Sequence, residues 1–194
     1  MQKLARQDLM TLEQYSIERP RLRSEVIAHK QRRTVQVGPN MTWCFEDRTT
    51  IRYQVLEMLR VERIFESAGI QDELDAYNPL IPSGSNWKVT LLLEFPEPEA
   101  RHAALAKLIG VEDRCWVRAS EMERVFAIAD EDIDRENDEK TSAVHFLRFE
   151  LSPSMVDAMK SGAQLSVGVD HDNYRHAVTP VPTSVRDALS RDLA

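Results

Sequence analysis

The sequence predicts an α+β protein: an N-terminal helical layer with a β-hairpin, followed by a mostly antiparallel sheet that helices cover. Apolar residues recur at helical spacing through most of residues 1–86, whereas short apolar runs, separated by proline-started helices, dominate residues 87–194. The length of 194 residues and the hydrophobic fraction of 42% allow a substantial core. We therefore expect a single domain over residues 1–194, with a mainly helical part, 1–86, and a sheet-containing part, 87–194.

Two helices are predicted at the N-terminus from capping and proline signals. Thr11 and Gln14 form a capping-box pattern, which predicts a short helix that ends near Arg19. Pro20 suits the first turn of a helix, so a second helix is expected from Pro20 to about Arg33.

A hairpin and two further helices complete the predicted N-terminal part. Residues 35–37 and 42–45 flank a Gly-Pro-Asn turn and predict the hairpin. A long helix is expected over 48–67, with Gly69 as its C-cap, and a shorter helix over 71–77.

The second half is predicted as short strands that alternate with helices. A strand–helix–strand order occurs twice when residue 98 is aligned with residue 153, which favours a β-α-β pseudo-repeat, although any two such units look alike. The predicted strands are 87–95, 114–119, 124–129, 142–151 and 164–169, and the predicted helices are 98–109, 154–161 and 184–193.

The composition excludes several common classes of enzyme. Six scattered glycines provide no dinucleotide-binding turn, P-loop or nucleophile elbow, and Cys44 and Cys115 provide no C-x-x-C motif. The start of the chain lacks the apolar run of a signal peptide, and no stretch approaches the roughly 20 apolar residues of a membrane span. We therefore expect a cytoplasmic protein with no membrane contact.

The charge is distributed unevenly along the chain. Residues 1–33 carry eight Lys/Arg and four Asp/Glu, a charge of +4, so residues 34–194 carry −11 of the total of −7. An acidic protein repels nucleic acid except at a local basic patch, so nucleic-acid binding is not expected. The uneven charge instead favours an interaction or anion-binding surface at the basic N-terminal helices.

The strongest candidate for a site is the predicted helix over 48–63. Helical spacing places Tyr53, Glu57 and Arg60 on one face with Gln54 beside them. Glu62 falls instead on the apolar side of the helix, where a carboxylate must be paired or protonated.

Two interpretations of this helix remain open. One is a buried ion-pair lock between the N-terminal helices and this helix. The other is a pocket in which arginines hold an anionic ligand while Glu57 or Glu62 acts as a base or a metal ligand. The residues that could bind an anion or a partner are Lys30, Arg32, Arg33, Arg48, Tyr53, Gln54, Arg60 and Arg63.

Three further segments have weaker signals. Tyr77 and Asn78 precede a proline loop and could form an exposed recognition surface, although helix capping and turn formation explain them almost as well. His171 and His176 lie near two aspartates and are weak candidates for metal ligands, with a surface turn as the alternative. The acidic run 130–140 has no periodicity and predicts a solvated loop.

Long ordered strings of residues resemble the family called domain of unknown function 3501. These strings are VIAHKQRR at 26–33, FEDR at 45–48, YQVLEMLRVERI at 53–64, ELDAYNPLIP at 73–82 and DHDNYR at 170–175. The resemblance covers the whole chain. It implies bacterial, cytoplasmic proteins with no assigned activity, whose genes lie near those of rubrerythrin-like and iron–sulfur oxidoreductase proteins.

Two functional hypotheses follow. The first is a non-catalytic accessory protein in a redox or oxidative-stress setting, whose basic N-terminal helices bind a protein partner; the resemblance implies a rubrerythrin-like or iron–sulfur oxidoreductase partner. The second is an enzyme or sensor that binds an anionic metabolite in an Arg/Glu-lined pocket, with or without a divalent metal. The sequence leaves the cofactor, the ligand and the oligomeric state open.

Overall fold

The computed structural model describes residues 2–129 and 140–194, so the acidic run over 130–139 lies outside the described residues. The helices are α1 (Leu12–Gln31), α2 (Arg48–Glu62), α3 (Ser67–Tyr77), α4 (Pro98–Lys107), α5 (Pro153–Lys160) and α6 (Thr183–Ser190). The strands are β1 (Thr34–Gln36), β2 (Met41–Phe45), β3 (Asn86–Leu93), β4 (Cys115–Ala119), β5 (Val125–Phe126), β6 (Ile128–Ala129), β7 (Val144–Glu150), β8 (Leu165–His171) and β9 (Tyr174–Val178).

The strands form two antiparallel sheets. The first sheet has the order β1-β2-β3-β7-β6, and the second sheet has the order β5-β4-β8-β9. This arrangement confirms the α+β fold class. The predicted hairpin is confirmed as β1–β2, and it extends the first sheet by pairing with β3, from Met41 opposite Leu93 to Phe45 opposite Val89. The first sheet therefore takes strands from both sides of residue 86.

The two predicted strand–helix–strand units are both present. In each unit the first strand belongs to the first sheet and the last strand to the second sheet: β3-α4-β4 and β7-α5-β8. The equivalent strands pair antiparallel, β3 with β7 and β4 with β8. The order of elements fits the pseudo-repeat that the sequence suggests.

One hydrophobic core joins the two sheets with α4, α5 and α6. Alternate residues of the first sheet face this core, including Trp43 of β2 and Phe149 of β7, whose rings stack with centroids 5.5 Å apart. The indole of Trp87 is also buried, and its Nε1 donates to the carbonyl of Leu189 at 3.1 Å, which ties α6 to the sheet. A second cluster, which includes Ile51, Val55, Leu59, Leu74 and Ile81, packs α2 and α3 together.

The predicted break at Pro20 is wrong, because α1 is one continuous helix that contains Pro20. A proline in a helix removes one backbone donor and disfavours the helical conformation of the residue before it. Contacts with α2 on both sides of the proline offset this cost: Tyr15 and Arg19 bond Glu57, and Val26 is buried.

The predicted end of the long helix is also wrong. Helix α2 ends at Glu62, and Arg63 caps it in the left-handed conformation, with φ 56° and its N–H bonded to the carbonyl of Leu59. Gly69 lies inside α3 instead, where a Cβ atom would come within 2.7 Å of the Ile64 side chain. Close packing, rather than helix capping, accounts for this glycine.

The strand predicted over 124–129 is divided between the two sheets. Residues of β5 pair with β4, but β6 pairs with β7 in the first sheet. Strand β9 was not predicted. Cys44 lies on β2 and Cys115 on β4, in different sheets, and both are free thiols. None of the helices within residues 2–129 and 140–194 has the length and apolarity required to cross a bilayer.

Arg33 joins the end of α1 to the start of α2 and to the C-terminus. Its side chain is only 2% exposed; Nε donates to the carbonyl of Phe45 at 2.9 Å and Nη2 to that of Glu46 at 3.2 Å. The guanidinium also forms an ion pair with Asp192, 159 residues away, and lies 3.5 Å from a carboxylate oxygen of Asp47. A buried cation is tolerated only when its donors are satisfied, and here they are used to hold three segments together.

Replacing Arg33 by Met is expected to lower the free energy of unfolding by about 3–5 kcal/mol, because it leaves buried carboxylates without their cation. The neighbouring Arg32 is exposed and makes no ion pair among the described residues, so Arg32→Gln serves as the control, with an expected change within about 0.5 kcal/mol. Urea denaturation at pH 7 measures both. Equal changes in the two variants would contradict the structural role of Arg33.

Candidate functional site

A cleft of about 550 Å³ lies between α1 and α2. The helices run antiparallel, since Tyr15 of α1 meets Glu57 of α2 while His29 meets Asp47. Side chains of Leu22, Val26 and Leu56 give the cleft an apolar wall. We call it the arginine cleft; its polar and charged lining residues are Glu25, His29, Arg32, Arg48, Thr49, Arg52 and Tyr53.

His29 and Asp47 form a hydrogen-bonded pair at one end of the arginine cleft. The imidazole Nε2 lies 2.6 Å from Oδ2 of Asp47, and the His29 side chain remains 30% exposed. Asp47 is also the N-cap of α2, because its Oδ1 accepts from the backbone N–H groups of Thr49 and Thr50 at 2.9 Å.

Asp47 is ionised at neutral pH. Burial raises the pKa of its carboxyl group, but the charge of Arg33 and the hydrogen bonds from Thr50 and His29 outweigh burial and lower the pKa below the ordinary value. An ionised Asp47 requires a proton on Nε2 of His29 and fixes the ring orientation. A histidine held by a carboxylate in this way keeps Nδ1 as an acceptor and is suited to transfer a proton.

The arginine cleft has more positive than negative charge. Arg48 pairs with Asp8 at 2.7 Å, and Arg52 donates through Nε to the carbonyl of Asp8 at 2.6 Å. Neither Arg32 nor Arg52 forms an ion pair within the described part of the chain. Glu25, the carboxylate in the lining, is already paired with Arg21 at 2.6 Å. At least two guanidinium groups are therefore available to an anion.

A smaller pocket of about 160 Å³ lies beside the arginine cleft. We call it the C-terminal pocket, because α6 and the residues after it form one wall. It shares His29 and Arg32 with the arginine cleft, and its other lining residues are Arg33, Asp47, Ala188, Arg191 and Asp192.

Three of the predicted site residues are brought together in the arginine cleft: Arg32, Arg48 and Tyr53. Arg33 lies in the C-terminal pocket, with its charge used internally. Lys30 is near the end of α1, half-buried, and lines neither cavity.

Glu57, rather than Glu62, forms an ion-pair cluster between α1 and α2, and this cluster is only partly buried: the side chains of Arg19 and Glu57 are 35% and 18% exposed. The Glu57 carboxylate accepts from Arg19 at 2.7 and 2.9 Å, from the hydroxyl of Tyr15 at 2.5 Å and from Arg60 at 3.2 Å. The bonds from Arg19 in particular lower the pKa of Glu57 to about 2. Such a carboxylate is a poor proton acceptor at neutral pH, so Glu57 is better suited to join α1 to α2 than to act as a base.

The expected burial of Glu62 is wrong. Glu62 is exposed because it is the last residue of α2, where no further turn covers it, and the nearby Phe65 is 65% exposed as well. Arg63 is exposed as well, and Gln54 is half-buried outside the lining of the arginine cleft.

Tyr77 and Asn78 do not form the exposed recognition surface that the sequence suggested. Tyr77 packs against the cluster between α2 and α3, and Asn78 bonds the N-terminal segment through both ends of its amide. Its Oδ1 accepts from the N–H of Leu4 at 2.7 Å, while its Nδ2 donates to the carbonyl of Leu4 at 2.9 Å.

His171 and His176 lie around the β8–β9 turn of the second sheet, as the surface-turn alternative expected. Nδ1 of His171 accepts from the N–H of Asn173 at 3.2 Å, and His176 packs on Tyr174 with ring centroids 4.6 Å apart. Within residues 2–129 and 140–194, no three or more His, Cys, Asp or Glu side chains are grouped so that they could hold a metal ion.

Sequence reasoning did not assign His29, Asp47, Arg52 or Arg191 to the site. One signal was available for Asp47, which directly precedes a predicted helix and is a preferred N-cap residue. A signal was also available for His29, because its helical spacing from Val26 and Arg33 puts it on the same face of α1 as these two buried residues. Arg191 reaches the site only through the packing of α6, which no local pattern reports.

Two comparisons with known proteins support the family resemblance. Residues 3–193 match the family described as a protein of unknown function, DUF3501. The chain is also similar to a novel protein of unknown function from Burkholderia pseudomallei K96243; the two are 50% identical over 100% of both chains, with a TM-score of 0.95. No functionally curated protein matches the chain.

The stability that Glu57 provides is expected to depend on pH. Because its pKa is lowered to about 2 from an ordinary 4.5, the stabilisation is complete above about pH 5 and is lost as the pH falls towards 2. Glu57→Gln should therefore cost about 1–2 kcal/mol at pH 7, given its partial solvent access, and progressively less in acid.

The control is Glu62→Gln, an exposed carboxylate on the same helix. Thermal unfolding of both variants from pH 7 to pH 2 tests the prediction. A Glu57→Gln difference that stays constant with pH would show that the carboxylate charge is not the cause.

Proposed function

The chain belongs to the DUF3501 family of proteins of unknown function, and we propose that it binds a small anionic metabolite in the arginine cleft. One observation carries the proposal: guanidinium groups without a carboxylate partner line the same cavity of about 550 Å³ as His29, whose ring is held by Asp47. Arginine presents a planar fork of donors that matches carboxylate and phosphate groups.

The size and lining of the arginine cleft fit a metabolite rather than a bare ion. Ligand sites for small molecules have volumes of about 300–1,000 Å³ and combine apolar walls with a few polar groups. Here Leu22, Val26 and Leu56 supply the apolar wall, and the hydroxyl of Tyr53 and the imidazole of His29 supply further hydrogen-bonding groups.

The His29–Asp47 pair allows either binding alone or proton transfer. Because Nε2 of His29 is bonded to Asp47, Nδ1 is the atom that can meet a ligand. In a sensor, Nδ1 accepts a hydrogen bond from a hydroxyl group of the ligand; in an enzyme, Nδ1 takes a proton from the ligand while Asp47 holds the ring. We include both the sensor and the enzyme in the proposal, and we place the protein in the cytoplasm.

Sulfate and inorganic phosphate are suitable probes, because each presents the charge of the proposed ligand without its body. Calorimetric titration at low ionic strength is expected to detect a single site. Arg32→Gln and Arg52→Gln should each weaken the affinity by roughly tenfold, since a charge-assisted hydrogen bond contributes about 1.5–3 kcal/mol before solvent screening.

Arg23→Gln is the matched control, because Arg23 is an exposed arginine of α1 outside the lining of the cleft. The affinity of this variant for sulfate or phosphate should change by less than about twofold, because salt and solvent screen a charge that lies outside the cleft. An equal loss in all three variants would indicate non-specific attraction and contradict the proposed site, as would the absence of binding in the unaltered protein.

A second candidate function is the binding of a redox protein, and exposed apolar residues favour it. Ile17 of α1, Val61 of α2 and Phe65 are 74%, 61% and 65% exposed. Large apolar side chains that are exposed to solvent can serve as the anchors of a protein contact. The family resemblance supplies the class of partner, a rubrerythrin-like or iron–sulfur oxidoreductase protein.

Combined replacement of Ile17 and Phe65 by Ser should weaken such a complex by at least tenfold, because apolar anchors dominate the energy of interfaces. Analytical ultracentrifugation of the purified protein with the purified partner measures the change. Ile109→Ser, at a residue that is 38% exposed and not part of this surface, is the control. No complex at micromolar concentrations, or an equal effect of the control, would contradict this candidate.

A further inference from the structure

We propose that the arginine cleft and the C-terminal pocket form one bipartite site for a ligand with two separated anionic groups. The inference rests on the proposed function and defines its ligand more closely. The two cavities are continuous in their lining, because His29 and Arg32 belong to both.

Each cavity has its own cation for one anionic group. Arg52 faces the arginine cleft and Arg191 faces the C-terminal pocket, and neither forms an ion pair within the described residues. Arg32 lies between them and is also without a carboxylate partner there. Two anionic groups at opposite ends of a ligand would therefore each meet a guanidinium, and both would be near the central Arg32.

The charge of the combined lining matches a ligand of charge −2. Five arginines, at 32, 33, 48, 52 and 191, face three carboxylates, at 25, 47 and 192, which leaves an excess of +2 with His29 neutral. Outside the lining, Asp8 pairs with Arg48, and Arg21 pairs with both Glu25 and Glu18, so these neighbours reduce the positive excess without reversing it. The carboxylates of the C-terminal pocket do not repel a ligand strongly, because Arg33 and His29 already bond Asp192 and Asp47.

The volumes of the two cavities indicate which part of the ligand each one holds. A volume of about 160 Å³ accommodates one carboxylate or phosphate group, whereas about 550 Å³ accommodates a second group together with the body of a metabolite. His29 lies where the cavities meet, so the atoms between the two anionic groups lie against its imidazole. The ligand class is thus a small dicarboxylate or a carboxylate-bearing phosphate.

The test compares sulfate with dicarboxylates of the same charge but different shape, and adds two ligands of other charge. Sulfate is a compact dianion. In the dicarboxylate series malonate, succinate, glutarate, adipate and pimelate, the distance between the two charges increases progressively. Phosphoglycolate carries one carboxylate and one phosphate, and butanoate is a monoanion. Calorimetry of the full-length protein at constant ionic strength should show that one dicarboxylate of the series binds most tightly. Its affinity should be at least tenfold higher than that of butanoate. The better of phosphoglycolate and the optimal dicarboxylate then identifies the chemistry of the second group.

Two variants in the C-terminal pocket test the second half of the site. Arg191→Gln removes its free cation, and Ala188→Leu fills the pocket without a change of charge. Both variants should lower the affinity for the optimal separated dianion by about tenfold. The affinity for sulfate, which is held in the arginine cleft, should change by less than twofold. Arg52→Gln should lower the affinity for both ligands, and Arg23→Gln should leave both affinities unchanged.

The outcomes separate this inference from the proposed function. If sulfate binds through Arg52 but no separated dianion binds more tightly than butanoate, the inference is wrong and the proposed function stands. Tight binding of a separated dianion that is insensitive to both Arg191→Gln and Ala188→Leu also overturns the inference. If no anion binds, both are overturned.

Discussion

The buried guanidinium of Arg33 is the interaction on which the arrangement around the site depends. A cation that is 2% exposed would cost several kcal/mol if its donors were unpaired, so it enforces the positions of the groups that satisfy it. These are the carbonyls of Phe45 and Glu46 at the junction of β2 and α2, and the carboxylate of Asp192 near the C-terminus. Segments that are distant in sequence are thereby held around the end of α1.

The geometry of the arginine cleft follows from this contact and from a second one at the other end of the helix pair. Close to Arg33, the N-cap Asp47 is fixed at the start of α2 and holds the His29 ring. At the opposite end, Glu57 gathers Tyr15, Arg19 and Arg60 and joins the two helices. Between these two contacts the side chains of α1 and α2 leave the arginine cleft, and its residues Arg32 and Arg52 form no ion pair within the described part of the chain.

The sheets contribute by placing the C-terminal helix against this helix pair. The indole of Trp87 bonds the carbonyl of Leu189 in α6, and the hydroxyl of Tyr174 bonds the carbonyl of Val37 at 2.8 Å, which links the second sheet to the hairpin. Through these contacts the large core determines where Arg191 and Asp192 lie. The site thus depends on the whole chain, although its cations come from short helical segments.

Local patterns in the sequence determined the fold class, the hairpin and most of the helices and strands, because apolar periodicity and capping residues act within a few positions. They also indicated the arginines at 32 and 48 and the tyrosine at 53 as parts of a site. Only the tertiary structure decided that α1 continues through Pro20, that α2 ends at Glu62, and that Glu57 is neutralised by Arg19. It also decided which arginines remain free, since pairing depends on residues such as Asp8 and Asp192 that are distant in sequence. Spacing along the chain predicts which face a charge occupies, whereas its partner is set by packing between elements.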